Sequence, residues 1–252
     1  MQIVLTDETN TTVGKSTFFL VGAISVPADV ASHLHLAVEG IRHKYGYQPD
    51  DSFKYARADK PAHIDNEAFN EAKSEALDLF AAYDIKIILY ACHHLIAENR
   101  SAEEKFKWGC NALLWVVQCF LNEIGHHALV LQDRHPVGNE FSYYKERFRQ
   151  SDKYSPENHK LRNMVGFGST CDEASHLSAL CDIALGSYRF CLNHQDKDIV
   201  NGILMPKLLA ATWGFPEPID KGFSLFPRRK IYKRECVADY QRIREHVAKF
   251  CA

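Results

Sequence analysis

Two early stretches of the chain are dominated by apolar, β-prone positions. Ile3-Val4-Leu5 runs into Thr6-Asp7-Glu8, and after a polar turn Thr17–Val26 resumes the pattern, so residues 2–26 read as a hairpin. The pattern then changes period. Val30, Leu34, Val38, Ile41 and Tyr45 recur at helical spacing, which predicts a helix over 28–45 with Pro27 in its first turn. Residues 46–64 are polar and irregular. Asp65 can cap a second helix whose stripe is Phe69, Ala72, Ala76 and Phe80. A strand is expected over 84–91. Ser101-x-x-Glu104 is a capping box for a helix ending at Gly125, and His127–Asp133 is a short buried strand.

The second half follows the same alternation. A short helix is expected over 139–149, a charged loop over 151–160, and a Gly-broken strand at Met164–Gly168. Thr170-x-x-Glu173 reads as a second capping box, opening a helix over 171–193. Beyond 195 the texture shifts to an apolar segment broken at Pro206, a Gly-, Pro- and Phe-rich loop over 214–227, and a last amphipathic helix. That helix carries Val237, Tyr240, Ile243, Val247 and Phe250 and can dock in cis or pair two copies in a homo-oligomer. The expected architecture is α/β: a mixed sheet flanked by helices over 1–194, with a mainly helical C-terminal extension, 195–252, packed on the same domain.

Composition narrows the function classes. With 252 residues, a net charge of −2 leaves no bulk basic field, so nucleic-acid binding would need a local patch. Arg228, Arg229 and Lys230 begin such a patch, although a basic run is more often a solvated face. The eight Cys form no C-x-x-C pair and the thirteen His no H-x-x-x-H pair, which argues for free thiols in a reducing cytosol and against zinc. No apolar run is long enough for a membrane span, and the chain reads as cytoplasmic. Gly14-Lys15-Ser16 suggests a phosphate loop, but Thr9 stands where that motif needs Gly, and a strand follows where it needs a helix.

Three acids stand out. Asp7 and Asp133 each end an apolar strand, where open α/β sheets place their chemistry and where Asp is also a common turn residue. Asp182 lies mid-helix among Ser178, Ala179 and Gly186, a position Asp disfavours. A lone carboxylate among apolar neighbours is costly unless paired or metal-bound. That favours metal or catalysis over an acid satisfied by Ser178 or a lysine.

These motifs, in this order, resemble a bacterial and phage family with an RNase H-like fold. Its members open on a strand ending in Asp-Glu-Ser-Gly, carry a later strand ending in Asp, and place an Ala-Asp helix near the end. Here the matching segments are Asp7-Glu8-Thr9-Asn10, Asp133-Arg134 and Cys181-Asp182-Ile183-Ala184-Leu185-Gly186, within residues 1–193. The resemblance implies an RNase H-like sheet and a nuclease or phosphodiesterase acting on nucleic acid. It further implies that Asp7, Asp133 and Asp182 are ligands of Mg²⁺ or Mn²⁺, with Glu8 a fourth ligand or helper. Lys54 and Arg134 become candidate phosphate contacts, as do Arg228, Arg229 and Lys230. The family's Glu-x-Lys is Ser52-Phe53-Lys54 here, and its Gln before the helical Asp is Ala179. Those departures keep a second reading open, a catalytically reduced module that binds nucleic acid or a protein.

Overall fold

The computed structural model describes residues 1–9, 17–133, 140–150, 161–171, 174–226 and 234–251. Six strands make one sheet: β1 (Gln2–Thr9), β2 (Phe18–Pro27), β3 (Lys86–His93), β4 (Ala128–Asp133), β5 (Met164–Thr170) and β6 (Phe223–Phe226). Their spatial order is β5-β4-β1-β2-β3-β6. β2 runs antiparallel to both neighbours, whereas β4 pairs parallel to β1, β5 to β4 and β6 to β3. The hairpin expected over 2–26 therefore forms the centre of the sheet. β2 is buried along nearly its whole length, because helices cover both faces. That explains a run with no polar alternation.

One face of the sheet packs on α3 (Ala102–Glu123). Val4, Phe19, Val21, Ile88 and Val130 meet Phe106, Leu113, Val117 and Leu121 there. The Ser101 capping box is present in full: Ser101 Oγ accepts from the Glu104 amide at 3.1 Å, and Glu104 Oε2 accepts from the Ser101 amide at 2.8 Å. Ile124 caps the far end and Gly125 follows at φ +66°.

The other face carries α1 (Ala31–Lys44), α2 (Asn66–Ala82) and α5 (His176–Asn193), with the C-terminal segment beyond them. Asp65 caps α2 by accepting from the Ala68 amide, and the stripe Phe69, Ala72, Ala76 and Phe80 is buried as the spacing predicts. Each buried Phe contributes roughly 1.5–3 kcal/mol of transfer free energy. The start of α1 lies later than expected, because Pro27 ends β2 and residues 28–30 turn before the helix begins. A short helix, α4 (Glu140–Gln150), stands between β4 and β5 as expected.

Two expectations are corrected. Thr170 does not open a capping box. It is the last residue of β5, its hydroxyl accepts from Ser178 Oγ at 3.2 Å, and α5 starts later with no side-chain cap from Ser175. Nor is the segment 214–227 only a loop: Phe223–Phe226 joins the sheet as β6, with Leu89–Cys92 as its partners. The π-turn Val200–Leu204 and α6 (Met205–Ala211) precede it, and Pro206 sits in the first turn of α6, where a missing amide costs nothing.

The last helix, α7 (Arg234–Ala248), docks in cis. Cys236, Tyr240, Ile243 and Val247 are buried, whereas Val237 faces solvent, so Cys236 takes the core position expected for Val237. Tyr240 Oη donates to the Phe226 carbonyl and accepts from the His93 amide at 3.0 Å, and His93 Nε2 meets Asp239 Oδ2 at 3.1 Å. All eight cysteines are free thiols. Among the described residues, no helix is long and apolar enough to cross a membrane.

Candidate functional site

Asp133 is the last residue of β4 as expected, whereas β1 continues two residues past Asp7 to Thr9 through its pairing with β2, so Asp7 lies near the carboxyl end of its strand and does not end it. β1 and β4 pair in parallel up to Thr6 and Gln132, so Asp7 and Asp133 stand one residue further along two adjacent strands. Alternation sets their face. Leu5 and Leu131, two residues earlier, pack into the core beneath α5, and the next residues on that face are Asp7 and Asp133. The cross-strand neighbour of Asp7 is Gly22. A Cβ on Gly22 would lie 2.2 Å from Leu185 Cδ2, so glycine is what lets α5 lie this close to the sheet beside Asp7.

Glu8 belongs to the opposite face. Its register partner Val21 packs against α3, and its charge is felt by the buried Cys110 thiol of that helix. Burial, and then the nearby charge of Asp133, push the Glu8 carboxyl up to about 7 from the 4.5 of an ordinary glutamate. The Glu8 amide donates to Asp7 Oδ1 at 2.7 Å, an Asx-type contact that orients the Asp7 carboxylate. Glu8 is therefore electrostatically coupled to the acidic end without sharing a face with Asp7.

Helix α5 crosses above these strand ends. Cys181 Sγ meets the Leu5 carbonyl, Leu185 covers Gly22, and Arg189 Nη1 donates to Thr9 Oγ1 at 2.9 Å. Asp182 precedes Arg189 by seven residues, two helical turns, and so shares its flank, the flank that overlooks the end of β1. The Asp182 carboxylate is engaged there: Oδ2 accepts from the Tyr55 amide at 2.6 Å. The small residues noted around Asp182 explain how Tyr55 gets in. A Cβ on Gly186 would lie 2.2–2.5 Å from the Tyr55 ring and its Cβ, so Tyr55 packs directly on the backbone of α5.

Tyr55 in turn holds a lysine that the sequence does not single out. Lys73 Nζ on α2 donates to the Tyr55 carbonyl at 3.4 Å and lies over the Tyr55 ring at 4.6 Å and the Phe69 ring at 4.0 Å. Burial draws the Lys73 ammonium down to about 8, opposed by the negative charge of Asp182. Lys54 is half-buried beside Tyr55 in the segment between α1 and α2. Asp7, Lys54, Asp133 and Asp182 all have electrostatic or hydrogen-bonding partners.

Asp7 and Asp133 thus share one end of the sheet, and α5, which bears Asp182, packs along β1 beside them. Yet among the described residues no three His, Cys, Asp or Glu side chains come close enough together to hold a metal ion. As they stand, the three acids do not form a finished cation cage, and Asp182 is turned toward Tyr55. Arg134, Arg228, Arg229 and Lys230 lie outside the described residues, as does the Gly14-Lys15-Ser16 loop.

Fold and site together define an α/β protein with a six-stranded mixed sheet, two strand-end acids and a helix-borne acid above them. The chain matches no family model, no curated protein and no solved structure.

Proposed function

We propose that the carboxyl ends of β1 and β4, overlooked by α5, form the active site of a divalent-cation-dependent phosphodiesterase acting on nucleic acid. The observation that carries this reading is the placement of Asp7 and Asp133. Each follows the last residue of the parallel β1–β4 pairing, on the face that α5 covers. The donor chemistry fits Mg²⁺ or Mn²⁺: Asp7 and Asp133 offer hard carboxylate oxygens. Asp7 and Asp133 would hold the ion, which when bound would polarise a phosphoryl oxygen and acidify a water. Asp182 accepts from the Tyr55 amide and so fixes the segment that carries Lys54. Arg189, anchored on Thr9, adds positive charge beside the position a phosphate would take.

The test is cleavage of labelled single- and double-stranded DNA and RNA by the purified chain in Mn²⁺, beside calorimetric titration with Mn²⁺. Asp7→Asn and Asp133→Asn should each abolish cleavage and weaken Mn²⁺ binding about tenfold or more. Asp182→Asn keeps an acceptor for the Tyr55 amide and removes only the charge, so lost cleavage in a fully folded Asp182→Asn protein assigns the carboxylate itself a role. Cleavage that persists in Asp7→Asn rules the site out.

A second reading has its own observation. The turn of Asp182 toward Tyr55, with no ready group of three acids among the described residues, suits a module that binds nucleic acid without cutting it. It predicts retained nucleic-acid binding with no Mn²⁺ heat at low-millimolar concentration.

A further inference from the structure

A cavity of about 600 Å³ opens beside Tyr55, between α2, α5 and the π-turn Val200–Leu204. Its walls are of two kinds. Tyr55, Phe69, Phe190 and Ile203 give rings and apolar surface, and Lys73, Arg57 and Lys197 bring positive charge against the single acid Glu71 among the described lining residues. Lys73 is built into the wall, since its ammonium spans the Phe69 and Tyr55 rings. Lys197 lies over the Phe190 ring at 5.1 Å. Asn66 and Asn70 add side-chain amides that both donate and accept. Ile199 and Ile203, on the cavity lip, leave 47% and 44% of their surface in water. A π-turn is a rare backbone form that often marks a functional site.

We propose that this cavity seats one unstacked nucleotide of a single-stranded nucleic acid, its base against Phe190 and Ile203 and its phosphate at Lys73 and Arg57. The inference rests on reading the strand ends as a phosphodiester site, and it names the form of the substrate. The volume lies in the range of small-molecule sites, and aromatic walls with a cationic edge are what stacking platforms for single strands use. A base held in duplex cannot enter such a hollow without leaving its stack. Tyr55 links the cavity to Asp182: its amide is held by Asp182, its carbonyl by Lys73, and it lines the cavity. A nucleotide phosphate on Lys73 lies against Tyr55, the residue that Asp182 holds.

The experiment is fluorescence anisotropy with the full chain and labelled oligothymidylate in EDTA, so that no cation or cleavage is involved. Lys73→Met keeps the aliphatic stem and removes the charge, and Ile203→Asp changes an exposed lip residue. Each should weaken binding about fivefold or more, the loss of one stacked base or one phosphate contact. Should Lys73→Met fail to fold, Ile203→Asp carries the test alone. Unchanged binding in Ile203→Asp, or no binding by the parent chain, overturns the proposal. A chain that cuts in Mn²⁺ yet binds the same with and without these changes leaves the strand-end site standing and removes the cavity. A chain that does not cut, but loses binding in both variants, does the reverse.

Discussion

Glu8→Gln tests the electrostatics of the acidic end without any ligand. Glu8 is mostly buried beside Asp133, and its carboxyl is raised from 4.5 to about 7, first by burial and then by the Asp133 charge. In the unfolded chain it titrates near the ordinary value. Between those two values the folded state holds a proton that the unfolded state has released. Stability therefore falls as pH rises through that window, and it levels off above about 7. At about 1.4 kcal/mol for each pH unit, the full cost is about 3.5 kcal/mol, an upper value because solvent still reaches part of the side chain. Gln has nearly the same shape and no charge to bury. Urea unfolding of both proteins from pH 4.5 to pH 8 should give matching midpoints at the acid end. A growing advantage for Glu8→Gln should follow, reaching about 2–3 kcal/mol at pH 8 with the urea slope unchanged. A difference that stays constant across pH, or a Gln variant less stable at pH 8, refutes the reasoning. Asp133→Asn should shrink the pH-dependent part only modestly, since burial is the larger cause.

Two further outcomes follow from packing and capping. Gly186→Ala gains about 1 kcal/mol of helix propensity but drives a methyl into Tyr55, and overpacking costs about 1–3 kcal/mol. Because the clash includes the Tyr55 Cβ and not only a mobile tip, net destabilisation of about 1–2 kcal/mol is expected in urea unfolding, and a net gain would count against the contact. Ser101→Ala should cost about 1 kcal/mol through loss of the capping box, read as a lower urea midpoint at constant slope.

Most of the fold is legible in the sequence because the period of apolar positions changes cleanly between strands and helices. The Ser101 motif was readable because an apolar stripe follows it directly. The same motif at Thr170 misled, since a Ser/Thr-x-x-Glu spacing also fits the end of a strand, and β5 extends through Thr170. β6 is four residues long and set among Pro and Gly, too short to show a period of its own. Asp182 was visible as a misfit, whereas its partner was not: Tyr55 lies 127 residues away, and nothing local marks it. A weak sign existed in the small residue Gly186 one turn beyond Asp182, which announces a close neighbour without naming it.

The choice between catalyst and binding module turns on what Asp182 is for. A hydrogen bond to one backbone amide could be accepted by Asn at lower desolvation cost, so the carboxylate needs a reason beyond Tyr55. One reason is Lys73, whose ammonium feels the Asp182 charge across Tyr55 and is itself depressed by burial. On that account Asp182 and Lys73 attract each other across Tyr55 as a structural pair that steadies the wall of the cavity. The other reason is a cation or phosphate chemistry shared with Asp7 and Asp133, which lie under the same flank of α5. The two accounts differ in what the charge does to Lys73. If the pair is structural, removing the Asp182 charge unmoors Lys73 and weakens the cavity as much as the strand ends. If Asp182 serves the strand ends, Lys73 keeps its two rings and the Tyr55 carbonyl, and the damage stays at Asp7 and Asp133. The contacts of Lys73 favour the second account, because the Phe69 and Tyr55 rings and the Tyr55 carbonyl hold its ammonium.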